Sequence, residues 1–255
     1  MNSIKPVQIP RYDVYDMKLK ELAITLLLAM GFCFLVGLIF YENLFLSAML
    51  AMAGIFYIPI RKKEQLRKRK EVLNLQFKDA LYFMSASLST GKSLETALLD
   101  AHKALAGIYP DPDCDIIREF EIMNGRIMMN EPVEKVFHDL ADRSGIEDIK
   151  NFADVLLISK RAGANMVEVI KNTSATIGEK VEIRQEIETI LAGKKMEQKI
   201  MTIMPFAMVF FLKTGSEDYL APLMSTAYGH VIMTIALLMI CLGQLISQKI
   251  MRIEV

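Results

Sequence analysis

The chain has 255 residues, 30 Lys plus Arg against 30 Asp plus Glu, and 53% apolar residues beside 24% charged ones, with a mean hydropathy of +0.30. So high an apolar share in so charged a chain excludes an ordinary soluble domain of mixed composition, and the two kinds of residue must be segregated along the sequence. A net charge of zero leaves electrostatic roles to local runs.

The segregation is visible at once. Residues 22–40 are 19 positions without a charge, and 44–60 are 17 more. As a helix the first run is about 28 Å long, close to the ~30 Å hydrocarbon thickness of a bilayer. A secretory signal has a shorter apolar core, and here a second run follows after only Tyr41, Glu42 and Asn43, so a retained transmembrane hairpin is expected. Ser47, Ala51 and Gly54 line one face of the second run and suit close helix contact. Two further runs, 200–212 with Pro205 inside it and 231–246, predict a second pair of spans. The spans hold no Asp, Glu, Lys or Arg, which disfavours an ion-coupled transporter.

Residues 61–70, RKKEQLRKRK, carry seven basic side chains: Arg61, Lys62, Lys63, Arg67, Lys68, Arg69 and Lys70. Every Lys and Arg in the chain except Lys213 lies before the first run, between the second and third, or after the fourth. By the positive-inside rule both termini and 61–199 are then cytoplasmic. The basic run becomes an anchor on lipid headgroups, joined by Lys194, Lys195 and Lys199 where the chain re-enters. With these and Glu64 and Glu197 set aside, 61–199 keeps 13 basic against 21 acidic side chains, the wrong sign for a nucleic-acid partner.

Between the runs every pattern is helical. Leu73, Phe77, Leu81, Met84 and Leu88 form a stripe that Gly91 ends, and Ser93 caps a helix carrying Leu94, Ala97, Leu98, Ala101 and Leu105. Ile116, Phe120, Met123 and Ile127 mark a third helix, and Asn130 with Pro132 opens a fourth with Val133, Val136, Phe137 and Leu140 inward. Gly145 separates a fifth with Ile149, Phe152, Leu156 and Leu157. After Gly163, Asn165 and Glu168 form a capping arrangement for a last helix that runs toward the membrane. The expected fold is all-α: about four transmembrane helices and a cytoplasmic bundle of about six. Its segments are an N-terminal piece 1–21, a hairpin 22–60, the bundle 61–199, two spans 200–246 with a short outer loop, and a tail 247–255.

Motifs that suggest chemistry fail on spacing. STGKS at 89–93 lacks the phosphate loop's earlier glycine, since position 86 is Ala, and it follows a helix. DPDCD at 111–115 has Ile116 and Ile122 where a calcium loop needs Gly and Glu. His102, His138 and His230 are far apart, and Cys33, Cys114 and Cys241 imply no disulfide framework. No catalytic set, cofactor or metal site is expected.

In this order the chain resembles the type II secretion F-domain family, in its short form from Tad/Flp pilus platforms. The resemblance rests on FKDALYFMSASLSTGKSLETAL at 77–98, on 119–170 from EFEIMNGRIMMNEPVEK to GANMVEVI, and on 220–255 beginning LAPLMSTAYGH. It covers roughly 20–255, including Pro205 and a turn at 219–223. It departs at 162–164, where Ala162, Gly163 and Ala164 stand for two adjacent glycines, and at GEKVEIR, where an arginine-rich stretch is thinned to Lys180 and Arg184. What the resemblance implies is a T2SF domain in a non-enzymatic inner-membrane platform subunit, pairing with a second F-domain platform subunit as a homo- or hetero-oligomer. Its implied partners are a cytoplasmic secretion ATPase, pilin subunits and membrane lipid. Lys180 and Arg184 are candidate partner contacts by the same route, and Asp111, Asp113, Asp115, Glu119 and Glu121 are a candidate acidic face for the ATPase. A membrane-anchored enzyme or a transporter subunit remains the alternative.

Overall fold

A computed structural model describes residues 12, 17, 19–41, 43–111, 114–162, 165–215, 223 and 226–250. Asp113, Gly163, Ala164, the turn at 219–222 and the tail beyond 250 lie outside them. Among the described residues there is no strand. The helices are α1 (Leu19–Tyr41), α2 (Leu44–Met52), a 3-10 turn (Ala53–Phe56), α3 (Tyr57–Ser89), α4 (Leu94–Ile108), α5 (Asp115–Met128), α6 (Val133–Ser144), α7 (Glu147–Ala162), α8 (Met166–Gly215) and α9 (Ala227–Ile250).

The chain divides into two compact units, one of residues 1–16 and 63–183, the other of 17–62 and 184–255. α3 and α8 run from one unit into the other. Against the expected bundle of 61–199, the second division falls sixteen residues earlier, because the side chains of α8 that pack on the first unit's core end at Val181.

In the first unit α4 packs on α5, α5 on α6 and α6 on α7. The core forms because each helix repeats an apolar residue at intervals of three and four, which keeps one face inward. At its centre Phe77, Phe137 and Phe152 meet edge to face, with centroids 6.4, 5.6 and 5.0 Å apart, the offset arrangement that aromatic quadrupoles favour. Leu157, expected inward, is only half-buried; Ala153 and Ser159 complete the inner face of α7 instead.

Among the described residues three helical stretches are long and apolar enough to cross a membrane: Leu19–Tyr41, the apolar part of Leu44–Ser89, and Tyr228–Ser247. Their large apolar side chains, Leu27, Phe32, Phe45, Phe56 and Leu238 among them, are exposed, as lipid-facing surfaces are. The run 200–212 is helical throughout, with Pro205 inside the 50-residue α8. Within the second run the α-helix gives way to the 3-10 turn at Ala53–Phe56. Pro59 explains it: its nitrogen cannot donate to the Ile55 carbonyl and its ring crowds that oxygen.

Two helix ends differ from expectation. Asn130 does not open α6 but closes α5 at φ +63, with Asn130 N–H donating to Ile127 O (2.9 Å) and Glu131 N–H to Arg126 O (3.1 Å). This is the Schellman pattern, with Asn in the left-handed place that glycine usually takes. Pro132 alone caps α6. Gly91 (φ +83) and Gly145 (φ +57) end α3 and α6 as their sequence positions imply.

Candidate functional site

The packed face of the second run comes first. Ser47 is fully buried and Ala51 nearly so, on the helix that packs against α1. A Cβ on Gly37 would lie 2.7 Å from Ser47 Cα, and one on Gly54 would lie 2.9 Å from Met30 N. Backbones this close require glycine. Ser47 satisfies its hydroxyl locally by donating to Asn43 O at 2.8 Å, and Asn43 Oδ1 caps α2 by accepting from Phe45 N–H at 2.9 Å. Gly37 and Asn43 belong to this site, and sequence reading missed both, although the small-residue spacing on α2 invited a search for its complement on α1. α9 joins through Met233 and Leu237 against Val36 and Phe40, and Tyr41 Oη lies 2.8 Å from Thr234 Oγ1. Phe206, beside Pro205, sets its ring 6.3 Å from Phe32 and 5.9 Å from Phe40.

The basic stretch divides by depth and by partner. At 1.5 Å per residue Lys70 stands about 15 Å of helix beyond Ile60, whereas the polar zone on each side of the hydrocarbon is only ~5–8 Å thick. Lys62 and Lys63 are exposed and near enough, and so are Lys195 and Lys199 before the run at 200. Lys68 pairs with Glu64 at 3.1 Å, Arg67 with Glu71 at 3.6 Å and Lys194 with Glu197 at 2.9 Å, exposed pairs that leave the cations at the surface. Arg69 departs from the expectation. Arg69 grips Asp115 through two 2.7 Å bonds and lies 4.9 Å over the Tyr12 ring, and Lys70 is half-buried, with its Nζ 3.1 Å from where a Cβ on Gly145 would lie. Arg69 thus takes part in the first unit's own packing.

The acidic set is corrected in the same way. Glu119 is wholly buried: Arg143 donates to both its oxygens at 2.7 and 2.6 Å, and Tyr12 Oη donates to Oε1 at 2.9 Å. Arg143 Nε also reaches Asp139 at 2.8 Å, Arg126 meets that same carboxylate at 2.7 Å, and Arg126 holds Glu131 bidentately at 2.7 Å. Charges alternate along this chain, which is why a carboxylate can sit at its buried end. Burial first, and then the Glu119 and Asp115 charges, push the Tyr12 phenol well above its ordinary range, so it remains a donor. Burial would raise Asp139, but the bonds and charges of Arg143 and Arg126 outweigh it and hold that carboxyl below its usual value. Of the five expected docking acids, Glu119 is therefore internal, Asp115 is half-buried and held by Arg69, and Asp111 and Glu121 are exposed. Lys180 donates to Asp148 at 2.8 Å, whose other oxygen accepts from Asn74 at 2.8 Å, so it ties α8 to α7 and α3; Arg184 is half-buried.

The capping residues act locally. Ser93 Oγ accepts from Thr96 N–H at 3.3 Å, and Lys92 of the STGKS stretch binds Asp100 at 2.6 Å. Asn165 Oδ1 accepts from Val167 N–H at 3.2 Å, while the Glu168 side chain is exposed. Among the described residues no three His, Cys, Asp or Glu are grouped to hold a metal ion. Compared with known proteins, the chain matches no family model, no curated protein and no solved structure.

Proposed function

We propose that the chain is a non-enzymatic platform subunit of the inner (cell) membrane, serving a Tad/type IV-like pilus assembly or type II secretion machine. It couples a cytoplasmic secretion ATPase to pilin extraction. The observation that carries the reading is the order of parts: an apolar hairpin packed through Gly37, Ser47 and Gly54, a helical block with its own core, and further apolar helix after it. On this reading 200–212 is a fourth span, with Pro205 tolerated because Phe206 packs on neighbouring rings. Both termini and the block face the cytoplasm, in accord with the placement of all basic residues but Lys213. A paired F-domain subunit completes the platform.

Deleting the gene should abolish surface filaments or secretion of their subunits, and normal filaments in the deletion strain would end this reading. Partner docking is tested by charge reversal at the exposed acids Asp111 and Glu121: recovery of the ATPase with the membrane fraction should fall several-fold. Unchanged recovery would move the docking face elsewhere.

A further inference from the structure

Among the described residues ahead of the first apolar helix, Tyr12 is the one that is buried. It is wholly buried, yet it belongs to a segment that the sequence gives no periodicity and two prolines, Pro6 and Pro10. Its ring lies under the Arg69 guanidinium at 4.9 Å and its hydroxyl donates to Glu119 at 2.9 Å, while Arg143 holds Glu119 from the other side. Residues 1–16 accordingly group with 63–183, although only six residues, 13–18, join Tyr12 to α1 in the other unit. The parts of this arrangement have separate supports. Apart from its contacts with Tyr12, Glu119 takes two bonds from Arg143, Arg69 makes two to Asp115, and the three-phenylalanine centre is drawn from α3, α6 and α7.

We propose that Arg69, Glu119 and Arg143 form a tyrosine-binding socket, which the N-terminal arm occupies in cis through Tyr12 as a ligand separable from the helical fold. The socket takes a phenol: a cation stacks on the ring face, and a buried carboxylate accepts from the hydroxyl. Because Tyr12 belongs to the same chain as the socket, its effective concentration there is high, and release exposes Arg69 and Glu119 together.

Hydrogen exchange on the full chain in lipid nanodiscs tests this. Tyr12→Ala should raise exchange in peptides of the arm and in the α5 and α6 segments around Glu119 and Arg143, on the order of tenfold, while α4 and α7 keep their protection. Tyr12→Phe, which keeps the ring and loses one hydrogen bond, should fall between. A synthetic peptide of residues 1–16 added to the Tyr12→Ala protein should restore the α5 and α6 protection saturably, and the same peptide carrying Tyr12→Ala should not. Unchanged exchange in Tyr12→Ala overturns the socket. Uniform loss of protection from α3 to α7 overturns it as well, because Tyr12 is then an inseparable part of the core, and so does a peptide that fails to restore protection.

Discussion

At the scale of single residues, the buried end of the charge chain is the most sensitive point. Arg143→Met removes both donors from a carboxylate with no access to water, and leaves it with Tyr12 alone. Breaking a buried pair from one side costs about 3–5 kcal/mol. Denaturant titration of the purified chain should show a loss of that size, and a loss well under 1 kcal/mol would mean that the Glu119 carboxyl finds other partners. Titration has a sign at each end of the pH scale. Asp139 and Glu131 have lowered pKa values, Asp139 because Arg143 and Arg126 outweigh its burial and Glu131 through Arg126, so their contribution is full above the usual carboxylate range near pH 4 and disappears as pH falls through the lowered values. Tyr12 and Tyr109 are raised, chiefly by burial, so theirs is full below about pH 10 and shrinks above it. The denaturation midpoint should therefore be flat between these limits, and Tyr12→Phe should reduce the alkaline slope. An alkaline slope equal to wild type would show that Tyr12 does not retain its proton there.

At the scale of elements, turns and close approaches decide. Asn130 sits at φ +63, which a β-branched side chain resists by roughly 1–2 kcal/mol, so Asn130→Val should lower the denaturation midpoint while Asn130→Gly leaves it near wild type. The hairpin supplies an internal control. A Cβ at Gly54 meets the α1 backbone at 2.9–3.1 Å, whereas one at Gly31 meets nothing within 4 Å. Gly54→Ala should lower the thermal midpoint in detergent by several degrees and Gly31→Ala should not; equal effects would mean that α1 and α2 do not pack through this face. Most helices were legible because their stripes are local, and Ser93, Gly91 and Gly145 were legible for the same reason. Asn130 was misassigned because Asn serves both a helix start and a left-handed helix end, and the choice depends on which carbonyls are left to satisfy.

At the scale of the whole molecule, the test is topology. In a chain without its native cysteines, a single cysteine at exposed Glu121 should resist a membrane-impermeant thiol reagent in intact cells and react after lysis; labelling from outside would reverse the orientation. The sequence by itself determined the segregation of apolar helices from a charged helical block, because burial in lipid or core needs only composition and a period of 3.6 that any stretch of chain displays. Tertiary structure alone decided which charges are surface and which are skeleton. Arg69, Asp115, Glu119 and Lys180 read as exposed contacts along the chain, yet each is engaged by a partner 24 to 107 positions away. Such pairings arise where folding brings distant helices together, and no local pattern encodes them.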